Sequence, residues 1–89
     1  MTYKIYLTHN AQKDIEKLKQ RASAYKKYCA LLNILEENPY QNPPPYEKLG
    51  GDLKGLYSRR LNIQHRLLYQ VFEEENGIKI LSVWTHYEN

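Results

Sequence analysis

The chain has little of what several common protein classes require. It contains a single cysteine, Cys29, among its 89 residues, so an intramolecular disulfide is impossible and a cysteine-rich metal site is not expected. No stretch approaches the roughly 18 consecutive apolar residues that a membrane span needs, and the first residues lack the apolar segment of a secretory signal. We therefore expect a protein of the reducing cytoplasm that does not cross a membrane.

Sequence motifs that carry chemistry on their own are also missing. The chain has no internal repeat, no glycine-rich phosphate loop, no spacing of metal ligands and no serine–histidine–acid pattern. We therefore expect neither a metal nor a cofactor. Any chemistry must come from residues that are scattered along the sequence and brought together by the fold.

The composition is that of a folded globular protein. Hydrophobic residues make up 42% of the chain and charged residues 26%, which is too apolar for a disordered tail. A chain this short has room for one modest core, and the expected organisation is one domain over residues 1–89.

Charge is distributed unevenly along the chain. The net charge is +3, and the segment from Glu47 to Arg66 holds five bases and only two acids. From Leu67 onward the sign reverses, with Lys79 against four glutamates. A polyanion is the natural partner of the basic segment, and the alternative is an ordinary solvated surface.

The first half of the sequence predicts one strand and two helices. Alternation over residues 3–7 predicts a strand, and the hydroxyl of Thr8 can cap the helix that follows. The residue before Pro39 avoids the helical region, which ends the second helix at Asn38. Apolar residues at helical spacing predict the buried stripes: Ala11, Ile15, Leu18 and Ala22 in the first helix, and Tyr25, Tyr28, Cys29, Leu32 and Leu35 in the second.

The second half predicts a sheet meander. A proline-rich connector over residues 39–46 leads to strands at 56–63, 66–72 and 78–85, with turns at 62–65 and 73–77. The order β-α-α-β-β-β predicts an α+β fold in which two N-terminal helices pack on one face of a mixed, mainly antiparallel sheet. The other face of the sheet is then left open.

The run from Glu47 to Tyr69 resembles the YoeB/Txe family of toxins in the RelE superfamily. It contains an acid, a glycine turn, Leu-Lys-Gly, Ser-Arg-Arg and His-Arg-Leu-Leu-Tyr in the family's order, and His86-Tyr87 resembles the family's closing pair. The resemblance implies a RelE-like fold and metal-independent cleavage of messenger RNA in the ribosomal A site by attack of the ribose 2′-oxygen. It also implies a YefM/Phd-like antitoxin, the ribosome and mRNA as partners, and a possible homodimer.

The resemblance assigns three catalytic residues. Glu47 would be the base for the 2′-hydroxyl, His86 the acid for the leaving oxygen and Arg66 the stabiliser of the phosphate. The residue types suit these roles, because carboxylates accept protons, histidine titrates near neutrality and arginine offers forked donors to phosphate. The alternative for each residue is a solvated surface role.

Further residues are predicted to contact RNA. They are Lys48, Tyr57, Arg59, Arg60 and Tyr87, with Lys54 a further candidate that has a solvated role as its alternative. Gly50 stands where the family commonly has a lysine, Lys48 being a possible substitute, and Glu88-Asn89 extends past the closing pair.

A second hypothesis is a binding module of the same fold, either a gyrase poison like the ParE relatives or a degenerate toxin that only binds its antitoxin.

Overall fold

The computed structural model of the protein describes residues 2–83. The elements are β1 (Lys4–Leu7), α1 (His9–Leu18), α2 (Ala22–Glu37), β2 (Glu47–Lys48), β3 (Leu56–Arg60), β4 (Arg66–Phe72) and β5 (Gly77–Ser82). The predicted order is confirmed with one addition, β2. Two residues are too few to show an alternating pattern, so no sequence signal indicates this strand.

The strands form one mixed sheet in the order β1-β5-β4-β3-β2. Strand β1 pairs parallel with β5, and the other three pairings are antiparallel. The predicted fold class is therefore confirmed. The connector over residues 39–46 carries the chain from α2 to the edge of the sheet opposite β1, where β2 pairs with β3.

The core lies between the two helices and one face of this sheet. Strands β4 and β5 contribute Leu67, Tyr69, Ile78 and Ile80, all 0% exposed, to the same cluster as the buried helix residues. Side chains alternate across a strand, so the residues between these point to the other side. Among residues 2–83 no helix packs on that second face, which we call the open face, as predicted.

Local signals fixed three of the boundaries as expected, whereas β3, predicted to run over residues 56–63, ends at Arg60. Thr8 precedes α1, and its hydroxyl oxygen accepts a hydrogen bond of 3.0 Å from the backbone N–H of Ala11. Asn38 is extended and ends α2 before Pro39. Asn76, at the predicted turn between β4 and β5, has a φ of 50°, a conformation that asparagine tolerates better than most residues.

The predicted stripe of α2 was partly wrong. The buried residues of this helix are Ala24, Tyr28, Leu31 and Leu35, while Cys29 is exposed. The buried stripe therefore follows residues 24, 28, 31 and 35, a slightly rotated face of the helix that leaves Cys29 outside the core. Burial raises the pKa of Tyr28 to about 12. Ala22, predicted as the last core position of the first helix, is exposed and begins α2.

The last predicted strand is only partly described. Its observed range is Gly77–Ser82, and Trp84-Thr85, which the sequence assigned to the same strand, lie outside the described residues. Within residues 2–83 no helix has the length and apolarity needed to cross a bilayer.

The corrected stripe of α2 can be tested with two variants of the same helix. Leu31→Ala should lower the free energy of unfolding by about 2–5 kcal/mol, because it empties a buried site. Cys29→Ala should change it by less than about 0.5 kcal/mol, as expected for an exposed position. Urea unfolding followed by circular dichroism measures both. A loss of several kcal/mol for Cys29→Ala would show that the cysteine is part of the core after all.

Candidate active site on the open sheet face

Strand pairing brings the predicted base and the predicted phosphate-binding arginine to the same face. Glu47 of β2 lies directly opposite Ser58 of β3, and Arg60 of β3 lies directly opposite Arg66 of β4. Ser58 and Arg60 are two residues apart and point to the same side. Residues 47, 58, 60 and 66 therefore share the open face.

Glu47 and Arg66 form an ion pair across the intervening strand. A carboxylate oxygen of Glu47 lies 3.9 Å from an Nη atom of Arg66. Because strands are about 4.8 Å apart, the two side chains must lean toward each other over β3 to come this close. The Glu47 side chain is 65% exposed and that of Arg66 is 24% exposed, so the pair is accessible and weakly held.

A cleft of about 250 Å³ opens at this pair. It is lined by the four residues of the open face and by Pro45 and Tyr46 from the end of the connector. Arg60 and Arg66 are directly opposed like charges, an arrangement that is unfavourable in a sheet. With Glu47 as the carboxylate of the cleft, the two arginines leave an excess of positive charge suited to an anion.

Ser58 was not among the predicted site residues. It is 1% exposed, and its hydroxyl oxygen has no hydrogen-bond partner among the described residues. Leaving a buried donor unpaired costs roughly 1–3 kcal/mol. Alternation along β3 places Ser58 on the same face as Arg60, but no sequence pattern shows that its hydroxyl is unpaired.

Arg59, which the sequence predicts to contact RNA, is buried inside the protein. Its side chain is 1% exposed and faces the core side of β3. The guanidinium donates to the carbonyl oxygens of Pro44 at 2.7 Å, Pro39 at 3.0 Å and Gln41 at 2.9 Å, and Nε donates to the Tyr69 hydroxyl at 3.1 Å. Every side of the charged group is therefore occupied by the protein itself.

An aromatic cluster surrounds this buried arginine. The Tyr46 ring centroid lies 4.9 Å from Cζ of Arg59, and the Tyr69 hydroxyl also donates to the Pro39 carbonyl at 3.0 Å. Burial raises the pKa of Tyr69, and the adjacent Arg59 offsets part of that rise. The cluster therefore holds the connector against the sheet.

Tyr57 and Lys48, also predicted to contact RNA, both lie on the side of the sheet away from the cleft. Tyr57 stacks on Tyr69 with ring centroids 5.6 Å apart, so it packs on the core side and is not presented to RNA on the open face. Lys48 lies opposite Tyr57 and so projects to the side away from Glu47. Lys48 therefore does not substitute in the cleft for the lysine that the family commonly has at the position of Gly50. Arg60 is exposed and lines the cleft, and its contact with RNA stays a prediction.

His86 and Tyr87 lie outside the described residues, as do Glu88 and Asn89. The strand that leads toward them is held at its end by α1. The Thr8 hydroxyl and the Asn10 amide donate to the carbonyl of Leu81, at 3.2 Å and 3.3 Å. The buried carboxylate of Asp14 accepts from the Val83 backbone N–H at 3.2 Å. The path of the chain is thus fixed as far as Val83. No cluster of three potential metal ligands occurs within the described residues.

The amino-acid sequence matches a known protein family and its members. Residues 7–87 match the family model described as YoeB-like toxin of bacterial type II toxin–antitoxin system. The chain is 32% identical to the toxin YoeB of Mycobacterium bovis over 64% of this chain, and the match spans 65% of that relative's length.

Solved structures show the same fold. A YoeB/ParE toxin from Agrobacterium tumefaciens superposes with a TM-score of 0.86 at 26% identity, covering 94% of this chain and 99% of that one. In a YoeB–YefM complex from Staphylococcus aureus the matched chain has a TM-score of 0.80 at 35% identity, covering 98% of this chain and 100% of its own length.

Substitution of the two adjacent arginines of β3 should affect stability to very different extents. Arg59→Ala leaves three carbonyls and a tyrosine hydroxyl without their donor, so we expect the free energy of unfolding to fall by at least about 3 kcal/mol. Arg60→Ala removes an exposed side chain and should change it by less than about 0.5 kcal/mol. Urea denaturation of both variants provides the comparison. Equal stability of the two would show that Arg59 does not hold the connector.

Proposed function

Because this chain belongs to the family of YoeB-like toxins of bacterial type II toxin–antitoxin systems, we propose that it is a ribosome-dependent mRNA endonuclease. In the proposed reaction the ribose 2′-oxygen of a message in the ribosomal A site attacks the neighbouring phosphate without the help of a metal. The observation that carries the proposal is the approach of Glu47 and Arg66 to 3.9 Å on the open face.

The proposed roles follow from the chemistry of the cleft. Glu47 removes the proton of the 2′-hydroxyl, and its 65% exposed side chain is free to reach a bound ribose. Arg66 and Arg60 donate to the phosphate oxygens, where negative charge increases in the transition state. A weak ion pair suits this task, because an entering phosphate can replace the Glu47 carboxylate at Arg66 at little cost.

His86 completes the proposed set as the acid that protonates the leaving 5′-oxygen. Its residue type and its place after β5 support this role. Tyr87 is proposed to stack on a base of the message.

The proposed partner in the resting state is an antitoxin of the YefM type. The Staphylococcus aureus relative was solved as a YoeB–YefM complex. For this chain we propose that an acidic, disordered segment of the antitoxin folds over the open face and pairs with Arg60 and Arg66. Binding there would prevent access of RNA to the cleft.

The direct test is a translating extract. Purified protein should cut a reporter message at positions occupied by the A site and leave the same message intact when ribosomes are omitted, as mapped by primer extension. Messages that stay intact at every codon, while a known relative cuts them, would contradict the proposal. Inhibition of gyrase supercoiling by the same preparation would then favour the binding-module alternative.

Variants in the same extract separate chemistry from binding. Arg66→Ala removes charge that acts on the transition state and should slow cleavage by roughly 10²–10³-fold. Glu47→Gln and His86→Gln remove proton transfer and should each cost about 10²–10⁴-fold. Ribosome binding, measured by co-sedimentation, should survive in all three variants.

Lys54→Ala is the matched control for a lost surface charge. It should weaken association slightly at low salt and barely at high salt, because it supplies only a screened contact. Wild-type cleavage by His86→Gln together with loss of cleavage by Lys54→Ala would show that the acid–base assignment is wrong.

A further inference from the structure

Ser58 stands out in the candidate site because nothing in the described fold uses its hydroxyl. The side chain is 1% exposed, and its oxygen has no hydrogen-bond partner among residues 2–83. Buried polar groups are nearly always paired, and an exception calls for a reason. Alanine would remove the unpaired group from this strand without loss of a hydrogen bond, so the fold itself does not account for a serine here.

The position of Ser58 indicates what its hydroxyl serves. Strand β3 lies between β2 and β4, and the ion pair of Glu47 and Arg66 crosses over it. Ser58 lies directly opposite Glu47 and lines the cleft together with both members of the pair. The short serine side chain thus lies at the base of the cleft, on the strand that the ion pair crosses, and an entering phosphate would separate that pair.

We propose that the Ser58 hydroxyl is a further catalytic group, which donates a hydrogen bond to a non-bridging oxygen of the phosphate held by Arg66. The Arg60 and Arg66 side chains, which line the cleft, supply positive charge. The Ser58 hydroxyl supplies a hydrogen-bond donor from the base of the cleft. Such a preorganised donor stabilises the negative charge that builds up on the phosphate oxygens. A hydroxyl has one proton to donate, and no acceptor for it lies among residues 2–83.

The catalytic part of this inference rests on the proposed function, but phosphate binding can be measured without RNA cleavage. Inorganic phosphate titrated into the isotope-labelled protein and followed by NMR reports the affinity of the cleft. Ser58→Ala should weaken phosphate binding by about tenfold, since a hydrogen bond to a charged group is lost. Ser58→Cys, which keeps the side-chain size but offers only a weak donor, should be equally impaired. The midpoint of urea unfolding should stay the same or rise.

Cleavage supplies the second measurement. In the translating extract, Ser58→Ala should reduce the cleavage rate at saturating protein by about 10²-fold, the size of effect of a lost oxyanion donor. Ser23→Ala is the control for loss of a serine hydroxyl, since Ser23 lies exposed in α2, and it should match the wild type in both assays.

A third variant tests whether the hydroxyl acts on the phosphate or through Glu47. In a Glu47→Gln background, Ser58→Ala should weaken phosphate binding by the same factor as in the wild type. Disappearance of the effect in that background would show that the hydroxyl acts on Glu47, and the proposal would fall.

The outcomes separate this proposal from the proposed function. Unchanged phosphate affinity in Ser58→Ala overturns it, and so does wild-type cleavage by that variant in an extract where the wild-type protein cuts. If the wild-type protein leaves messages intact, the endonuclease proposal fails, and phosphate affinity alone decides the role of Ser58.

Discussion

Arg59 places a full positive charge inside the protein and surrounds it with acceptors from the connector. Three carbonyl oxygens, from Pro39, Gln41 and Pro44, and the Tyr69 hydroxyl receive its hydrogen bonds. The connector is rich in proline, which has no N–H to donate, so it cannot be held by ordinary sheet pairing. The guanidinium supplies the donors instead. Because the connector ends at Tyr46, whose ring lies over the guanidinium, the position of the next residue, Glu47, depends on this interaction.

Strand alternation turns this one constraint into a site. Residues 57 and 59 of β3 face the core and hold the connector, while residues 58 and 60 face the open side. Neighbouring arginines therefore have unlike tasks, since one stabilises the fold and the other is left exposed at the cleft. The short strand β2 then sets Glu47 opposite Ser58, and the ion pair with Arg66 follows from this placement. Only part of the positive charge in the segment from Glu47 to Arg66 therefore lies on the open face. Arg60 and Arg66 are there, and Arg59 is buried on the other side.

Much of the fold could be predicted from the sequence, because its signals are local. The cap at Thr8, the stop at Asn38-Pro39 and the turn at Asn76-Gly77 each depend on one or two residues, and each was confirmed. The extra strand β2 could not be predicted, because two residues show no alternation. Cys29 was misplaced because an amphipathic stripe read from sequence alone is uncertain by one position, and only packing against the sheet decides which face is buried.

The candidate site was predictable only where a motif named it. The motif named Glu47 and Arg66, which the fold brings together in one ion pair. The task of Arg59, by contrast, depends on carbonyl groups 15 to 20 positions away in the chain. Composition and charge patterning favour RNA contact for any arginine in a basic segment, so they could not distinguish Arg59 from Arg60. Ser58 was missed because a missing hydrogen bond is a property of the folded protein alone.

The measurement that tests the account most directly is the chemistry of the cut ends of the message. Attack by the 2′-oxygen on phosphorus expels the 5′-oxygen, so the upstream fragment must end in a 2′,3′-cyclic phosphate or its hydrolysed form, and the downstream fragment must begin with a 5′-hydroxyl. Mass spectrometry of fragments from the translating extract identifies both ends. A 2′-deoxy nucleotide at the cut position should abolish cleavage. Fragments with a 3′-hydroxyl and a 5′-phosphate would contradict the account, since they require a nucleophile other than the 2′-oxygen that Glu47 is proposed to activate.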